Sequence, residues 1–151
     1  MINYNESDKE SHNGIGAVIL NEEGQVLVQD HVKFGFWTLP IGKSGVNEDP
    51  REGMNKELLE ECNVEAEKLT ELSRITKKDI RDGVDIDVTV ILYHAEDLIG
   101  EIRNNEPDKH REQKFMDVDE FKKIYEESGQ SGWINDLFFE WLEKNKEIEV
   151  N

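Results

Sequence analysis

Hydrophobic positions along the chain follow two rhythms, one of strands and one of helices. Gly14 to Leu20 (GIGAVIL) is a continuous apolar run of strand length. Asn21-Glu22-Glu23-Gly24 supplies turn chemistry, and Gln25 to His31 (QVLVQDH) follows, so the pair predicts a β-hairpin. An aromatic-rich segment from Lys33 to Leu39 is expected to end at Pro40 and to deliver the chain to a loop carrying Gly42. A helix start is then well marked: Asp49 as N-cap, Pro50 at the first helical position, and Glu52 three residues after the cap. Met54, Leu58 and Cys62 recur at helical spacing as an apolar stripe, and Asn63 suits a left-handed C-cap. Further on, a strand is expected around Leu72 to Ile75 and a charged turn over Asp79 to Gly83. Val84 to His94 (VDIDVTVILYH) passes from alternation to an apolar run, which predicts a central strand of a mixed sheet. Asn104 to Arg111 reads as a polar loop, Gln113 to Val118 as a last strand, and Asp119 to Ser128 and Trp133 to Lys146 as closing helices.

This order of elements predicts an α/β fold, a mixed β-sheet sandwiched between α-helices. Residues 1–13 are polar and are expected to form a flexible arm; 14–151 are expected to form one domain, since 151 residues at 36% hydrophobic content suit a single core. The net charge of −17 argues against a duplex nucleic-acid partner, which calls for a basic face. Cys62 is the one cysteine and cannot form an internal disulfide. No apolar run approaches membrane-spanning length, and the first residues hold no apolar signal-like segment. A cytoplasmic location without membrane contact is the expectation.

Charge changes the picture most in the predicted helix. Glu57, Glu60 and Glu61 fall within five residues on one side of it, adjoining the apolar stripe. Like charges at i and i+4 destabilise a helix by roughly 0.2–0.5 kcal/mol per pair, whereas a divalent cation turns the repulsion into attraction. Alone, such a trio reads as a solvated face. With a cation between them, the three carboxylates would make a Mg²⁺ or Mn²⁺ site on the helix.

The stretch Gly42 to Val64 resembles the signature box of the Nudix hydrolases. It reads Gly42, five residues, Glu48, seven residues, Lys56-Glu57-Leu58, one residue, Glu60-Glu61, one residue, Asn63-Val64. The strand pair and Trp37-Thr38-Leu39-Pro40 before it are similar to the family as well. Nothing comparable suggests a P-loop, a dinucleotide fingerprint or a zinc site. Three positions depart from the pattern. Lys56 stands for Arg and loses the planar fork that can hold two carboxylates; Asn63 stands for Gly at the C-cap; Ile41 stands where a second glycine is common.

The resemblance implies metal-dependent hydrolysis of a nucleoside diphosphate linked to another group, foremost a MutT-like cleavage of a (deoxy)nucleoside triphosphate to monophosphate and pyrophosphate. ADP-ribose or a dinucleoside polyphosphate is the rival substrate, and a nucleotide-binding or sensor protein with weakened turnover the rival class. By position, Glu57 and Glu61 would be metal ligands, Glu60 a ligand or the base, the Ile41 carbonyl a further ligand, and Lys56 an orienting cation. Gly42, Lys43, Phe36 and Trp133 are candidates for binding the substrate, and Glu48, Glu106 and Glu112 complete the candidate set. For Lys33, Lys43 and Arg51 the plain alternative is a solvated lysine or arginine, and for the aromatics a place in the core, where Trp37 and Trp141 are expected. The histidines show no ligand spacing. The expected partner is a small nucleotide, with a homodimer left open.

Overall fold

The computed structural model describes residues 6–149. A 3-10 turn (Glu6–Lys9) precedes β1 (His12–Val18), β2 (Val26–His31), β3 (Phe36–Thr38), β4 (Ile41–Gly45) and α1 (Pro50–Cys62). Then come the long strands β5 (Glu65–Arg81) and β6 (Val84–Ile99), followed by β7 (His110–Met116), α2 (Val118–Ser128) and α3 (Trp133–Glu149). The strands form two sheets, ordered β4-β1-β6-β5 and β3-β2-β7. β1 runs parallel to β6, and every other pairing is antiparallel. Val84 to His94 is thus the central strand of a mixed sheet, as its pattern predicted. Among the described residues, no helix is long and apolar enough to cross a membrane.

Period-two alternation explains the layering. Ile86, Val88, Val90 and Leu92 of β6 face one core with Phe121 of α2 and Ile134, Leu137 and Phe138 of α3. Ile91, Tyr93 and Ala95 face a second core, where they meet Ile15, Ala17 and Ile19 and the α1 residues Met54, Leu58 and Cys62. The sheet therefore lies between α1 and the α2/α3 pair. Each of those three α1 side chains is fully buried, worth about 1.5–3 kcal/mol for a side chain of leucine or methionine size.

Three local expectations are corrected. The predicted hairpin is reduced to one isolated bridge, Leu20 with Val26, plus a hydrogen bond from Leu27 N–H to the Ile19 carbonyl at 2.9 Å. Both strands are buried along most of their length, so each becomes the covered middle strand of a different sheet, β1 between β4 and β6 and β2 between β3 and β7. Gly42 lies in a strand rather than a loop, paired with Ile15 of β1. The strand β5 runs on to Arg81, leaving only Asp82 and Gly83 at the turn, both at positive φ (49° and 81°). Within the expected N-terminal arm, residues 1–5 lie outside the described residues, Glu6–Lys9 form the 3-10 turn, and β1 begins at His12.

Candidate active site

Helix α1 is positioned by its own termini. The Asp49 carboxylate accepts a hydrogen bond from Arg51 N–H at 2.9 Å, Pro50 opens the first turn, and Asn63 closes the helix at φ 65°. Asn55 fastens it to the start of β5 with a reciprocal pair, Nδ2 to the Ala66 carbonyl (3.0 Å) and Ala66 N–H to Oδ1 (2.8 Å). The loop before β7 covers its last turn: Arg103 N–H donates to the Cys62 carbonyl (3.0 Å) and Asn105 N–H to the Glu61 carbonyl (2.9 Å).

With the Met54, Leu58 and Cys62 stripe turned into the core, Glu57 and Glu61 sit one turn apart at its border and line a cleft of about 970 Å³. Glu61 is only 6% exposed. Burial, followed by a hydrogen bond with Glu57, pushes its carboxyl up to about 9, while burial raises Glu57 as well. Glu61 therefore keeps a proton at neutral pH and shares it with Glu57, and the negative charge of Glu106 strengthens the effect on both. His110 Nε2 approaches Glu61 Oε1 to 3.9 Å. Burial keeps that imidazole neutral, so the contact is not an ion pair. Among the described residues, the buried His110 Nδ1 has no hydrogen-bond partner.

The short distance between α1 and β4 depends on Gly42. A Cβ there would lie 2.7 Å from Glu57 Cδ and 3.1 Å from its Cβ, so only glycine lets the glutamate lie across the strand. Ile41 and Lys43 of the same strand line the cleft too. Its other wall is aromatic. Phe34 stacks on His31 with centroids 4.4 Å apart and on Phe36 at 5.9 Å, and Trp133 stands nearby under the Arg81 guanidinium at 5.8 Å.

The remaining candidates are placed differently. Glu60 and Lys56 are exposed and are not among the residues lining the cleft. Glu48 Oε1 accepts from Gly45 N–H at 2.9 Å and so ties the β4 to α1 turn. Glu106 pairs with Lys109 at 3.1 Å beside the glutamates, whereas Glu112 is exposed and lies 3.8 Å from Lys114. Trp37 is half-buried against the α3-side core; Trp141 is also half-buried rather than enclosed. The sequence pattern did not single out Phe34, His31 or His110 as one group. They meet only because β2 pairs with β7, setting His31 opposite His110 across a bulge, and no spacing within either strand signals it.

The donor set suits a hard divalent cation: two desolvated carboxylates that share a proton a cation can replace. Among the described residues, no three of His, Cys, Asp and Glu are grouped to hold a metal ion.

Comparisons with known proteins agree with this geometry. The NUDIX domain model matches residues 10–137. The solved structure of the MutT NUDIX hydrolase from Burkholderia pseudomallei is 28% identical and covers 73% of this chain and 85% of its own, at a TM-score of 0.60. The MutT protein from Methanosarcina mazei Go1 is 17% identical over 95% of this chain and 99% of its own (TM-score 0.67). A C. elegans Ap4A hydrolase binary complex is 22% identical over 75% and 85% (TM-score 0.53). At those identities the last two speak to the fold alone. No curated protein matches the chain in sequence. The domain match spans most of the chain and agrees with the mixed sheet and three helices, so the chain belongs to the NUDIX domain family, a family of hydrolases acting on small nucleotide substrates.

Proposed function

We propose that the cleft hydrolyses a phosphoric anhydride bond of a nucleotide in a reaction that depends on Mg²⁺ or Mn²⁺, with a (deoxy)nucleoside triphosphate cleaved to monophosphate and pyrophosphate as the leading case. The observation that carries this reading is the hydrogen-bonded pair of half-buried Glu57 and buried Glu61 at the border of the cleft, on the helix whose spacing matches the family box. The 28% identity to the MutT NUDIX hydrolase of B. pseudomallei supports the hydrolase reading.

A bound divalent cation would supply charge neutralisation on the phosphate oxygens and a more acidic water. Glu57 and Glu61 would hold it, with the Ile41 carbonyl beside them. Gly42 allows Glu57 to lie flat on β4. The aromatic wall of Phe34, Phe36 and Trp133 offers the stacking face for a base. Exposed Glu60 acts through its charge on Glu57, and Glu106, in the loop before β7, acts on both Glu57 and Glu61; these two are the candidates to take a proton. Lys56 is equally exposed, and the cation whose charge acts on both glutamates is Lys109.

A second reading has an observation of its own. The exposure of Glu60 and Lys56 leaves a pair rather than a trio in the cleft, which suits a nucleotide-binding protein with weak turnover. A panel of nucleoside and deoxynucleoside triphosphates, ADP-ribose and dinucleoside polyphosphates, assayed with Mg²⁺ or Mn²⁺ at alkaline pH with product identification, separates the two. Pyrophosphate and monophosphate are the expected products, and Glu61→Gln is expected to lower the rate by at least about 100-fold. Tight nucleotide binding with no product would decide for the binding protein. Unchanged metal affinity in both Glu57→Gln and Glu61→Gln would overturn the ligand assignment.

A further inference from the structure

The mouth of the cleft carries a second charged cluster that the glutamate pair does not use. The 3-10 turn Glu6–Lys9 lies against it, and Asp8 lines the same cleft as Glu57, Glu61, Lys33 and Lys43. Asp8 Oδ1 is 2.7 Å from Lys43 Nζ, and Oδ2 is 3.5 Å from Lys33 Nζ. Arg81 Nη1 donates to the Asp8 carbonyl at 2.9 Å and so holds the turn in place. The Asp8 side chain is only 13% exposed. Two ammonium groups from separate segments, one on β4 and one after β2, thus converge on a single carboxylate inside the cleft.

In a chain of net charge −17, such a convergence of cations is a local exception, and a cleft with low-dielectric walls concentrates its field. Lys43 adjoins Gly42, on which Glu57 packs, so Lys43 and the glutamates meet at one strand, with Lys33 reaching the same cleft from the segment after β2. A carboxylate gripped by two lysines presents the charge and acceptor oxygens that a phosphate would present in the same place.

We infer that Lys33 and Lys43 form a phosphate-binding subsite of the cleft and that Asp8 is its competitor within the chain, displaced when a phosphate group enters. That the phosphate belongs to a nucleotide rests on the function proposed above; the subsite chemistry itself needs neither metal nor turnover. Because entry must break the Asp8 contacts, the affinity is the difference between two sets of ion pairs, and the turn lowers it for every anion that reaches the lysines.

Calorimetric binding of inorganic pyrophosphate to the full chain in excess chelator tests this without metal or hydrolysis. Asp8→Asn is expected to tighten Kd roughly three- to fivefold, the size of a partly exposed ion pair. Lys43→Gln and Lys33→Gln are each expected to loosen it by a similar factor with the turn intact, and Lys43→Gln should cancel the gain in the double variant. Glu6→Gln changes the net charge equally from a side chain that is 96% exposed, and is expected to leave Kd unchanged. Equal shifts for Asp8→Asn and Glu6→Gln, no shift in either lysine variant, or no binding at millimolar pyrophosphate would overturn the subsite. Tightening specific to Asp8→Asn in a protein that turns over no nucleotide would keep the subsite and remove the hydrolase reading; turnover with unshifted pyrophosphate binding would do the reverse.

Discussion

At the scale of single residues, the site reduces to how burial treats two carboxylates. Glu61 is buried where its neighbour Glu60 is exposed, and that burial moves Glu61 up to about 9. Its folded state then binds more protons than the unfolded chain between the ordinary value of 4.5 and about 9, so stability falls as pH rises through that window. His31, lowered from 6.5 to about 4 by burial, works the opposite way: its contribution is complete above 6.5 and is lost on acidification toward 4. The net decline is therefore read between about pH 6.5 and 9. Thermal melts in chelator should show the midpoint dropping across that range, Mg²⁺ should lift the alkaline end, and Glu61→Gln should flatten the slope. A wild-type midpoint constant from pH 6.5 to 9 would contradict the assignment. Cys62, fully buried beside Glu61 with its thiol pushed up to about 12, belongs to the core and has no nucleophilic part in the cleft.

At the scale of elements, the working unit is the crossing of α1 over β4. The helix ends fix where α1 starts and stops, while Gly42 fixes how near it lies. Gly42→Ala places a methyl group against the Glu57 stem, which must swing away or push the helix outward. We expect a stability loss of about 1–3 kcal/mol in urea titration, together with weaker Mg²⁺ binding than the stability loss explains. An alanine variant with unchanged metal affinity would show that the close approach is structural only. Glu48 acts at the same scale by tying the turn between β4 and α1.

For the whole molecule, the question is how two sheets present one cleft. Asn135 of α3 is a buried link between them. Its Oδ1 accepts from Thr38 Oγ1 (3.2 Å) and Leu39 N–H (3.3 Å), and its Nδ2 donates to the Trp37 carbonyl (3.0 Å). Those bonds hold the end of β3, in the three-stranded sheet, against the helix that covers the four-stranded one. Asn135→Ala leaves buried backbone groups without partners and is expected to cost about 2–3 kcal/mol by chemical denaturation. Nucleotide affinity should fall alongside, because Phe36 and Trp133 lose their common support. A neutral result would mean that the sheets are held by apolar packing alone.

Much of this protein was written locally. The helix from Asp49 to Asn63, the central strand from Val84 and the spacing of Gly42, Glu48, Glu57 and Glu61 depend on capping, alternation and turn geometry, all of which act over a few residues and can be read from the chain itself. Which strands pair was not local. β1 and β2 looked like a hairpin because a turn joins two apolar runs, but runs apolar on both faces each demand cover from both sides, and only the complete fold could supply two separate sheets. Tertiary structure also decided which glutamates enter the cleft, since β4 and the loop before β7 bury Glu57 and Glu61 and leave Glu60 in water. The same holds for His110 beside Glu61 and for Asp8 between Lys33 and Lys43. A carboxylate acquires its proton affinity, and a lysine its partner, from groups far away in sequence, through burial and charge that exist only once the chain has closed.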